Sequence, residues 1–182
     1  MDDAARCAHH DLAMPSAWVV RWADRIAAGG RVLDVACGNG RHSRFFAARG
    51  HPVEAVDRDQ AKIELLAGIA GIHPRIADLE LGPWPYAGMR FAGIVVVNYL
   101  HRPLFPHLLG ALAPGGVLIY ETFAAGNERF GRPANPAFLL KPGELLEVVR
   151  DRLEVIAYEA LEVAEPRPAV LQRICATSPS VS

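Results

Sequence analysis

The sequence contains few cysteines and no excess of either charge. Its three cysteines, Cys7, Cys37 and Cys175, are widely spaced and form no Cys-x-x-Cys pair. An odd, scattered set argues against a disulfide framework or structural zinc, and it is typical of a reducing compartment. Basic residues number 19 and acidic residues 20. The chain as a whole therefore has no electrostatic attraction to nucleic acid or to an anionic membrane.

Long apolar runs are also missing. The most apolar stretch, 93–100 (GIVVVNYL), is far shorter than the roughly 20 residues that a membrane-spanning helix needs. Residues 1–13 are polar and acidic, which is wrong for a secretory signal. We interpret His9 and His10 in this stretch as solvated side chains, and we expect no metal site. These absences together predict a cytoplasmic protein with no membrane partner.

What is present is enough apolar material for one globular domain. The chain has 182 residues, of which 51% are hydrophobic, and this length suits a single core. Helical periodicity over 14–28 predicts an N-terminal helix, and the alternating strand and helix patterns that follow predict a core over 30–176. We expect a polar leader at 1–13 and a tail at 177–182, all within one domain, 1–182.

The order of the predicted elements indicates the fold class. Strand patterns alternate with helical patterns through the first two thirds of the chain, which is typical of a parallel sheet with helices on both faces. The strand at 91–99 is almost continuously apolar, so both of its faces should be buried. Two closing strands, 153–163 and 169–178, are joined by a short turn and should run antiparallel to each other.

Acidic residues stand where the predicted strands end, and in an open α/β sheet this is where ligands bind. The first strand ends at Asp34 and continues into a loop of small residues. The second ends at Asp57, 19 residues after Gly38, and the third ends at Asp78. A carboxylate at the Asp57 offset is suited to accept hydrogen bonds from both hydroxyls of a ribose. The three acids therefore predict a nucleoside site.

The glycine loop distinguishes two classes of nucleoside. A dinucleotide fingerprint needs a third glycine three residues after Gly40, where this chain has Ser43. Asp34 is a poor neighbour for a diphosphate, but it suits a ligand with a cationic amino-acid arm. S-Adenosylmethionine is such a ligand, and its own carboxylate can use loop amides and the following helix N-terminus. The loop therefore favours S-adenosylmethionine over a nicotinamide dinucleotide.

Five stretches resemble, in order and spacing, the successive motifs of class I S-adenosylmethionine-dependent methyltransferases. They are VLDVACGNGRHS, AVDRD, IADLE, IVVVNYLHR and LAPGGVLIYETF. The resemblance covers about residues 30–176 and implies a Rossmann-like three-layer α/β sandwich, with a seven-stranded, mostly parallel sheet and an antiparallel last strand. NYLHRPLFP and GRPANPAFLLKPGELL further resemble small bacterial tellurite-resistance-type methyltransferases. Ala36 replaces the first glycine of the usual loop, a small change that we do not interpret as loss of cofactor binding.

The same resemblance implies a set of cofactor-binding residues. Asp57 would bind the ribose, and Asp78 and the Leu79 amide would meet the adenine, which Arg58 and Leu79 would sandwich. Asn98 would face the transferred methyl and the cofactor's amino group, and Tyr99 and Leu100 would cover the methionine arm. For Asp78 and Arg58 the alternatives are a solvated loop acid and an exposed surface cation, and for Asp34 the alternative is a turn cap. The full predicted set is Asp34, Ala36, Gly38, Asn39, Gly40, Asp57, Arg58, Asp78, Leu79, Asn98, Tyr99 and Leu100.

Candidate catalytic residues follow the fourth strand. His101 is the candidate general base because an imidazole accepts a proton near neutral pH, and Tyr99 lies beside it. Alternatively, His101 caps or packs the next helix and no base is needed, since alignment supplies much of the rate. The predicted substrate-side residues are Arg102, Tyr120, Glu121, Phe123, Phe130 and Arg132. For Arg102 the alternative is a pair with a surface acid, and for Glu121 a pair with Arg129 or Arg132.

The leading functional hypothesis is direct in-line methyl transfer to a small-molecule acceptor. The alternatives are a non-catalytic module that binds S-adenosylmethionine, a nicotinamide-dependent oxidoreductase, and modification of nucleic acid. Against the last stand the balanced charge and the lack of an Asn-Pro-Pro-Tyr pattern at Asn98. We also expect the segment from Asn127 to Leu140 to be a mobile cover whose arginines favour an oxyanion-bearing acceptor. The acceptor atom and the oligomeric state stay open.

Overall fold

The computed structural model describes residues 14–165 and 167–180. The predictions made for Cys7, His9 and His10 therefore lie outside the described residues. In the described part, no helix combines the length and the apolar character that crossing a membrane requires.

Within the described residues, seven strands form one sheet, and five α-helices accompany it. The strands are β1 (Val32–Val35), β2 (Val53–Asp57), β3 (Ile72–Ile76), β4 (Phe91–Val97), β5 (Leu112–Phe123), β6 (Glu154–Val163) and β7 (Ala169–Thr177). The helices are α1 (Ala17–Trp22), α2 (Arg41–Ala48), α3 (Gln60–Glu64), α4 (Phe105–Ala111) and α5 (Glu144–Val149). Short 3-10 turns cover Ala23–Arg25, Arg102–Leu104, Asn127–Arg129 and Pro136–Phe138. The strand order is β3-β2-β1-β4-β5-β7-β6, with β1 to β5 parallel.

Both faces of the sheet are buried, which confirms the three-layer prediction. Successive side chains of a strand point to opposite faces. In β4, Ile94 and Val96 belong to the apolar cluster formed with α4 and α5. Val95 and Val97 belong to the cluster formed with α1 and α2. The fully apolar sequence of β4 follows from this double burial.

The closing strands also confirm their prediction. Strand β7 lies between β5 and β6 and runs antiparallel to both, so that β6 forms the edge of the sheet. The carboxyl ends of the five parallel strands therefore open at one edge of the sheet, and the antiparallel pair extends the sheet beyond them.

The N-terminal helix is shorter than predicted. Its α-helical part is Ala17–Trp22 rather than 14–28. Ser16 caps the helix by accepting a hydrogen bond from the Trp18 amide at 3.1 Å, and the chain tightens into a 3-10 turn after Trp22. Capping by serine satisfies an amide that has no intrahelical partner, which is why the helix begins there.

No loop separates α4 from β5. Leu112 begins β5 and pairs with Phe91, and the next paired residue of β5 is Val117, so the residues between them form a bulge. The Ser178 amide donates to the Gly116 carbonyl at 2.8 Å in this bulge. The start of the predicted tail is thereby held against the bulge.

Candidate functional site

A cavity of about 910 Å³ opens at the carboxyl ends of β1 to β4. Parallel strands bring their carboxyl ends to one edge, and the loops that leave them for opposite faces enclose a crevice there. Its lining mixes acidic, basic and apolar groups. The lining residues are Asp34, Ala36, Cys37, Gly38, Asn39, Arg41, His42, Arg44, Asp57, Arg58, Lys62, Leu65, Ala77, Asp78, Leu79, Glu80, Val97, Asn98 and Tyr99.

The glycine loop turns through left-handed backbone. Ala36, Gly38 and Gly40 have φ angles of 51°, 54° and 73°. A Cβ on Gly40 would lie 2.3 Å from a methyl group of Leu66, so this glycine permits close packing of the loop on the α3 segment. A Cβ on Gly38 would meet no atom of the described chain within 4 Å. Gly38 therefore keeps its side of the cavity open for a ligand.

Asp57 joins the end of β2 to the glycine loop. Its Oδ2 accepts a hydrogen bond from the Gly38 amide at 2.8 Å, and its Oδ1 accepts one from the Asp59 amide at 2.9 Å. Each carboxylate oxygen can accept a second hydrogen bond. The side chain therefore holds the loop and still offers acceptors to the cavity.

Asp34 is almost fully buried at the end of β1. Its Oδ2 accepts a hydrogen bond from the Ser43 hydroxyl at 2.6 Å. Burial raises the pKa of Asp34 from its ordinary 3.8 to about 7, although the Ser43 hydrogen bonds and the Arg41 charge act in the opposite direction. The position therefore carries only part of a negative charge at neutral pH.

Asp78 lies at the far side of the cavity, after β3. Its Oδ1 accepts hydrogen bonds from the amides of Glu80 and Leu81 at 2.8 and 3.1 Å, and these bonds lower the pKa of the carboxyl. Tyr99 lines the same region: burial raises the pKa of its hydroxyl, and the charges of Glu80 and Asp78 add to the effect. The Tyr99 phenol therefore stays protonated at neutral pH.

The structure brings together ten of the twelve residues predicted to bind the cofactor. Gly40 and Leu100 do not line the cavity: Gly40 is packed under the loop, and Leu100 belongs to the apolar cluster beneath the sheet. His101 also lies outside the lining, and its side chain makes no capping bond to the 3-10 turn that follows it. Neither the base nor the cap interpretation of His101 thus receives support from its contacts.

The six predicted substrate-side residues lie outside the cavity lining. Arg102 pairs with Glu144, its Nε donating to Oε1 at 2.6 Å, as its alternative interpretation had it. Glu121 is buried and pairs with Arg173 at 3.3 Å, not with either predicted arginine. The Tyr120 hydroxyl donates to the Tyr99 carbonyl at 2.8 Å. These three side chains support the strand ends.

The remaining substrate-side residues lie farther along the chain. Phe123 is buried in a small apolar cluster with Leu139, whereas Phe130 and Arg132 are exposed. Asn127 and Leu140, the ends of the predicted cover, are both buried. Leu140 shares an apolar cluster with Leu145 of α5, and no residue of the predicted cover lines the cavity.

Sequence reasoning missed several cavity residues. Arg41, His42 and Arg44 lie on the first turn of α2, directly after the glycine loop, and Lys62 and Leu65 lie on or just after α3. The signal for the first group was available, since the first turn after a strand-end loop faces the same edge as the loop. The α3 residues lacked such a signal, because no local pattern shows which turn of a helix reaches a neighbouring strand end.

Comparison with known proteins identifies a family. A family model described as a methyltransferase domain matches residues 7–161. A malonyl-[acyl-carrier protein] O-methyltransferase from Serratia marcescens is 33% identical over 103 residues, which is 54% of this chain and 40% of that protein. A tRNA U34 carboxymethyltransferase from Methylococcus capsulatus is 35% identical over 112 residues, which is 56% of this chain and 34% of that protein. The chain thus spans less than half the length of either relative.

A solved structure shares the fold. TehB from Haemophilus influenzae superposes with a TM-score of 0.75 at 19% sequence identity. The match covers 90% of this chain and 62% of that one. At this identity the likeness shows a common architecture.

Proposed function

The chain belongs to the S-adenosylmethionine-dependent methyltransferase family, and on that premise we propose that it transfers a methyl group from S-adenosylmethionine to a small-molecule acceptor. One observation carries the proposal: acids at three strand ends and an open glycine loop line one cavity of about 910 Å³. Membership of a methyltransferase family argues against the alternative of a nicotinamide-dependent oxidoreductase. The names of the relatives include both a carrier-bound malonyl group and a tRNA, so the small acceptor is part of the proposal.

The residues present fit this cofactor. Asp57 accepts one hydrogen bond at each oxygen, from the Gly38 amide of the glycine loop and from the Asp59 amide, and offers its remaining lone pairs to the two ribose hydroxyls. The open space at Gly38 admits the nucleoside next to the backbone. Asp34, buried and partly protonated, would gain its charge beside the cofactor's ammonium group.

The far side of the cavity suits the adenine. Leu65, Ala77 and Leu79 supply apolar contact, and Arg58 lies at the rim. We propose that Asp78 accepts a hydrogen bond from the adenine amino group through the oxygen that its own turn leaves free. Tyr99 would cover the nucleoside from the side of β4.

Catalysis on this proposal rests on alignment. When bound, the cofactor supplies a methyl group on a sulfonium, which is a good leaving group. Asn98, held in a left-handed conformation with φ of 57°, and Tyr99 would define the wall at the methyl end of the cavity. The protonated phenol of Tyr99 cannot remove a proton at neutral pH, and we propose that the chain positions the acceptor instead of deprotonating it.

Two measurements test the proposal. Isothermal titration calorimetry should show binding of S-adenosylmethionine and of its product S-adenosylhomocysteine, with NAD at least about tenfold weaker. Tight NAD binding with neither sulfur nucleoside would contradict the cofactor assignment. A screen of small acceptors with methyl-labelled cofactor then tests transfer, and cofactor binding without labelled product on any small acceptor would favour a binding module or a macromolecular acceptor.

A further inference from the structure

We propose that a second cavity binds a free α-amino acid with an apolar side chain, a function that goes beyond the proposed methyl transfer. This cavity has a volume of about 310 Å³. It lies where the end of β6 and the start of β7 meet the chain that leaves β5. It shares no lining residue with the cavity of about 910 Å³. The two cavities are therefore separate sites.

The floor of the second cavity is one face of the β6–β7 pair. Ala160 pairs with Gln172 and Glu162 with Val170, so these four side chains point to the same side of the sheet. Ala160 and Val170 are short and apolar, and they leave space above the strands. Ligand cavities begin at about 300 Å³, so this one suits a molecule of the size of a single amino acid.

The walls of the second cavity are held in place by hydrogen bonds within the chain. The Ala124 amide donates to the Val170 carbonyl at 2.9 Å, and the Ala125 amide donates to the Leu140 carbonyl at 2.9 Å. The buried side chain of Asn127 accepts from the Val170 amide at 3.1 Å. A cavity whose shape is fixed in advance loses less conformational freedom when a ligand binds.

Gln172 offers a hydrogen-bond donor at the floor. Its side chain is buried, and its Oε1 accepts from the Tyr158 hydroxyl at 3.1 Å and from the Leu145 amide at 3.5 Å. One N–H of Nε2 donates to the Lys141 carbonyl at 2.6 Å, and the other has no acceptor among the described residues. A buried donor is costly to leave unpaired, so an oxygen atom of a ligand is favoured beside it.

The rim carries one cation and one anion side by side. Arg129, predicted to favour an oxyanion-bearing acceptor, instead donates from Nη2 to Oε2 of Glu162 at 2.9 Å. Its Nε donates to the Gly126 carbonyl at 3.0 Å, which fixes the guanidinium at the rim. Both charged side chains are more than half exposed, and an exposed pair contributes little stability, so a ligand can separate them at little cost.

These features together select a zwitterion. The α-carboxylate would receive hydrogen bonds from Arg129 and from the free N–H of Gln172, and the α-ammonium would pair with Glu162. The apolar side chain would lie on the floor beside Ala160. A ligand with one charge alone would leave either Arg129 or Glu162 without its partner. The bound amino acid would also touch both ends of the predicted cover, since Arg129 and Leu140 line this cavity.

The test uses the full chain labelled with ¹⁵N and a panel of six probes. The probes are leucine and phenylalanine, their N-acetyl derivatives, which lack the ammonium group, and their amides, which lack the carboxylate. Titration should shift the side-chain amide signal of Gln172 and the backbone signals of Ala125 and Arg129. At least one of the two amino acids should bind about tenfold or more tightly than either of its derivatives.

Three variants assign the contacts, and two serve as matched controls. Ala160→Leu fills the floor and should weaken the amino acid at least about tenfold, whereas Ala164→Leu, at an exposed position outside the cavity, should not. Glu162→Gln should remove the preference over the N-acetyl derivative, and Arg129→Gln should remove the preference over the amide. Arg150→Gln removes an exposed arginine outside the cavity and should change neither preference. Thermal unfolding confirms that each variant is folded.

Three outcomes would overturn the proposal. The first is that none of the cavity signals shifts with either amino acid at concentrations up to about 10 mM, a range in which even weak specific sites fill. The second is that Ala160→Leu binds as the wild type does, or that the shifts fall on Gly38 and Asp57 in the larger cavity. The third is equal binding of the N-acetyl derivative or the amide by the wild type. Failure of the proposed methyl transfer is separate, because it appears as absence of S-adenosylhomocysteine binding.

Discussion

Ala36 has a left-handed backbone with φ of 51°, where β1 turns into the glycine loop. This conformation costs an L-residue other than glycine roughly 1–2 kcal/mol, whereas glycine's greater freedom in the unfolded chain costs about 0.4–1 kcal/mol. We expect Ala36→Gly to stabilise the protein by about 0.5–1 kcal/mol in urea unfolding. The control Ala48→Gly, in the last turn of α2, should destabilise it by up to about 1 kcal/mol. Destabilisation by both variants would show that Ala36 makes contacts that outweigh its strain.

Asp34 is the residue whose stability effect depends most clearly on pH. Its pKa is about 7 in the folded protein and 3.8 ordinarily. The folded state therefore binds the proton more tightly, and stability falls as pH rises from about 4 to about 7 and then levels off. Asp34→Asn removes this titration, so the variant should gain on the wild type over the same interval, by on the order of 2–4 kcal/mol at pH 8.

Urea unfolding of both proteins at pH 5, 7 and 8 measures this difference. The same variant should weaken S-adenosylhomocysteine binding, because a neutral amide cannot attract an ammonium group. A difference in stability that shrinks with rising pH would mean that Asp34 is ionised and stabilised in the folded protein.

Asp57 combines a structural and a proposed binding role, and two substitutions separate them. Asp57→Ala removes both the Gly38 and Asp59 amide bonds and should cost about 1–2 kcal/mol of stability. Asp57→Asn keeps an acceptor oxygen and should cost less. Both should weaken S-adenosylhomocysteine at least about tenfold, since the ribose loses charge-assisted hydrogen bonds.

Calorimetry and thermal unfolding report the two effects separately. The control is Asp59→Asn, which alters the cap of α3 without changing the cavity lining and should leave affinity within about twofold. Unchanged affinity in both Asp57 variants would place the ribose elsewhere.

At the scale of elements, Arg102 helps to hold the C-terminal part of the segment from Asn127 to Leu140 to the rest of the molecule. Arg102 donates to the carbonyls of Ala137 and Leu139 at 2.8 and 2.9 Å, in addition to its pair with Glu144. The Leu140 amide donates to the Phe123 carbonyl at 3.0 Å. The C-terminal part of the segment is thus fixed without ligand, and only its exposed middle is free to move as a cover.

Hydrogen exchange should show this division. The amides of Leu139 and Leu140 should be protected without ligand, and those of the exposed part, 130–135, should exchange fast. Arg102→Gln should speed exchange at the C-terminal part and cost about 1–2 kcal/mol, a value reduced for the partial exposure of the pair. Uniform protection of the whole segment, unchanged by cofactor and acceptor, would exclude the cover.

For the molecule as a whole, the sequence predicted those features that depend on residues close together in the chain. The apolar run of β4 predicted its double burial, and the acids at Asp34, Asp57 and Asp78 predicted the cavity, because a strand end is visible in the sequence itself. The partner of Glu121 was missed, and the partner of Arg102 was left open. They lie 52 and 42 residues away, and no local signal pairs side chains at such distances.

The position of β7 has a consequence for how the chain folds. Strands β1 to β5 pair with one another, so this half of the sheet can assemble while the chain is still being made. Among the strands that the structure describes, β6 pairs with β7 alone, and β7 follows it in the chain. During synthesis β6 is therefore made before its partner β7 and has no native pairing until β7 follows. The insertion of β7 between β5 and β6 is a non-local and therefore slow step. In pulse-labelled hydrogen exchange during refolding, we expect β1 and β4 amides to be protected first, and β6 to gain protection together with β7. Protection of β6 ahead of β7 would reveal a misregistered β5–β6 pairing that must open before the native sheet can close.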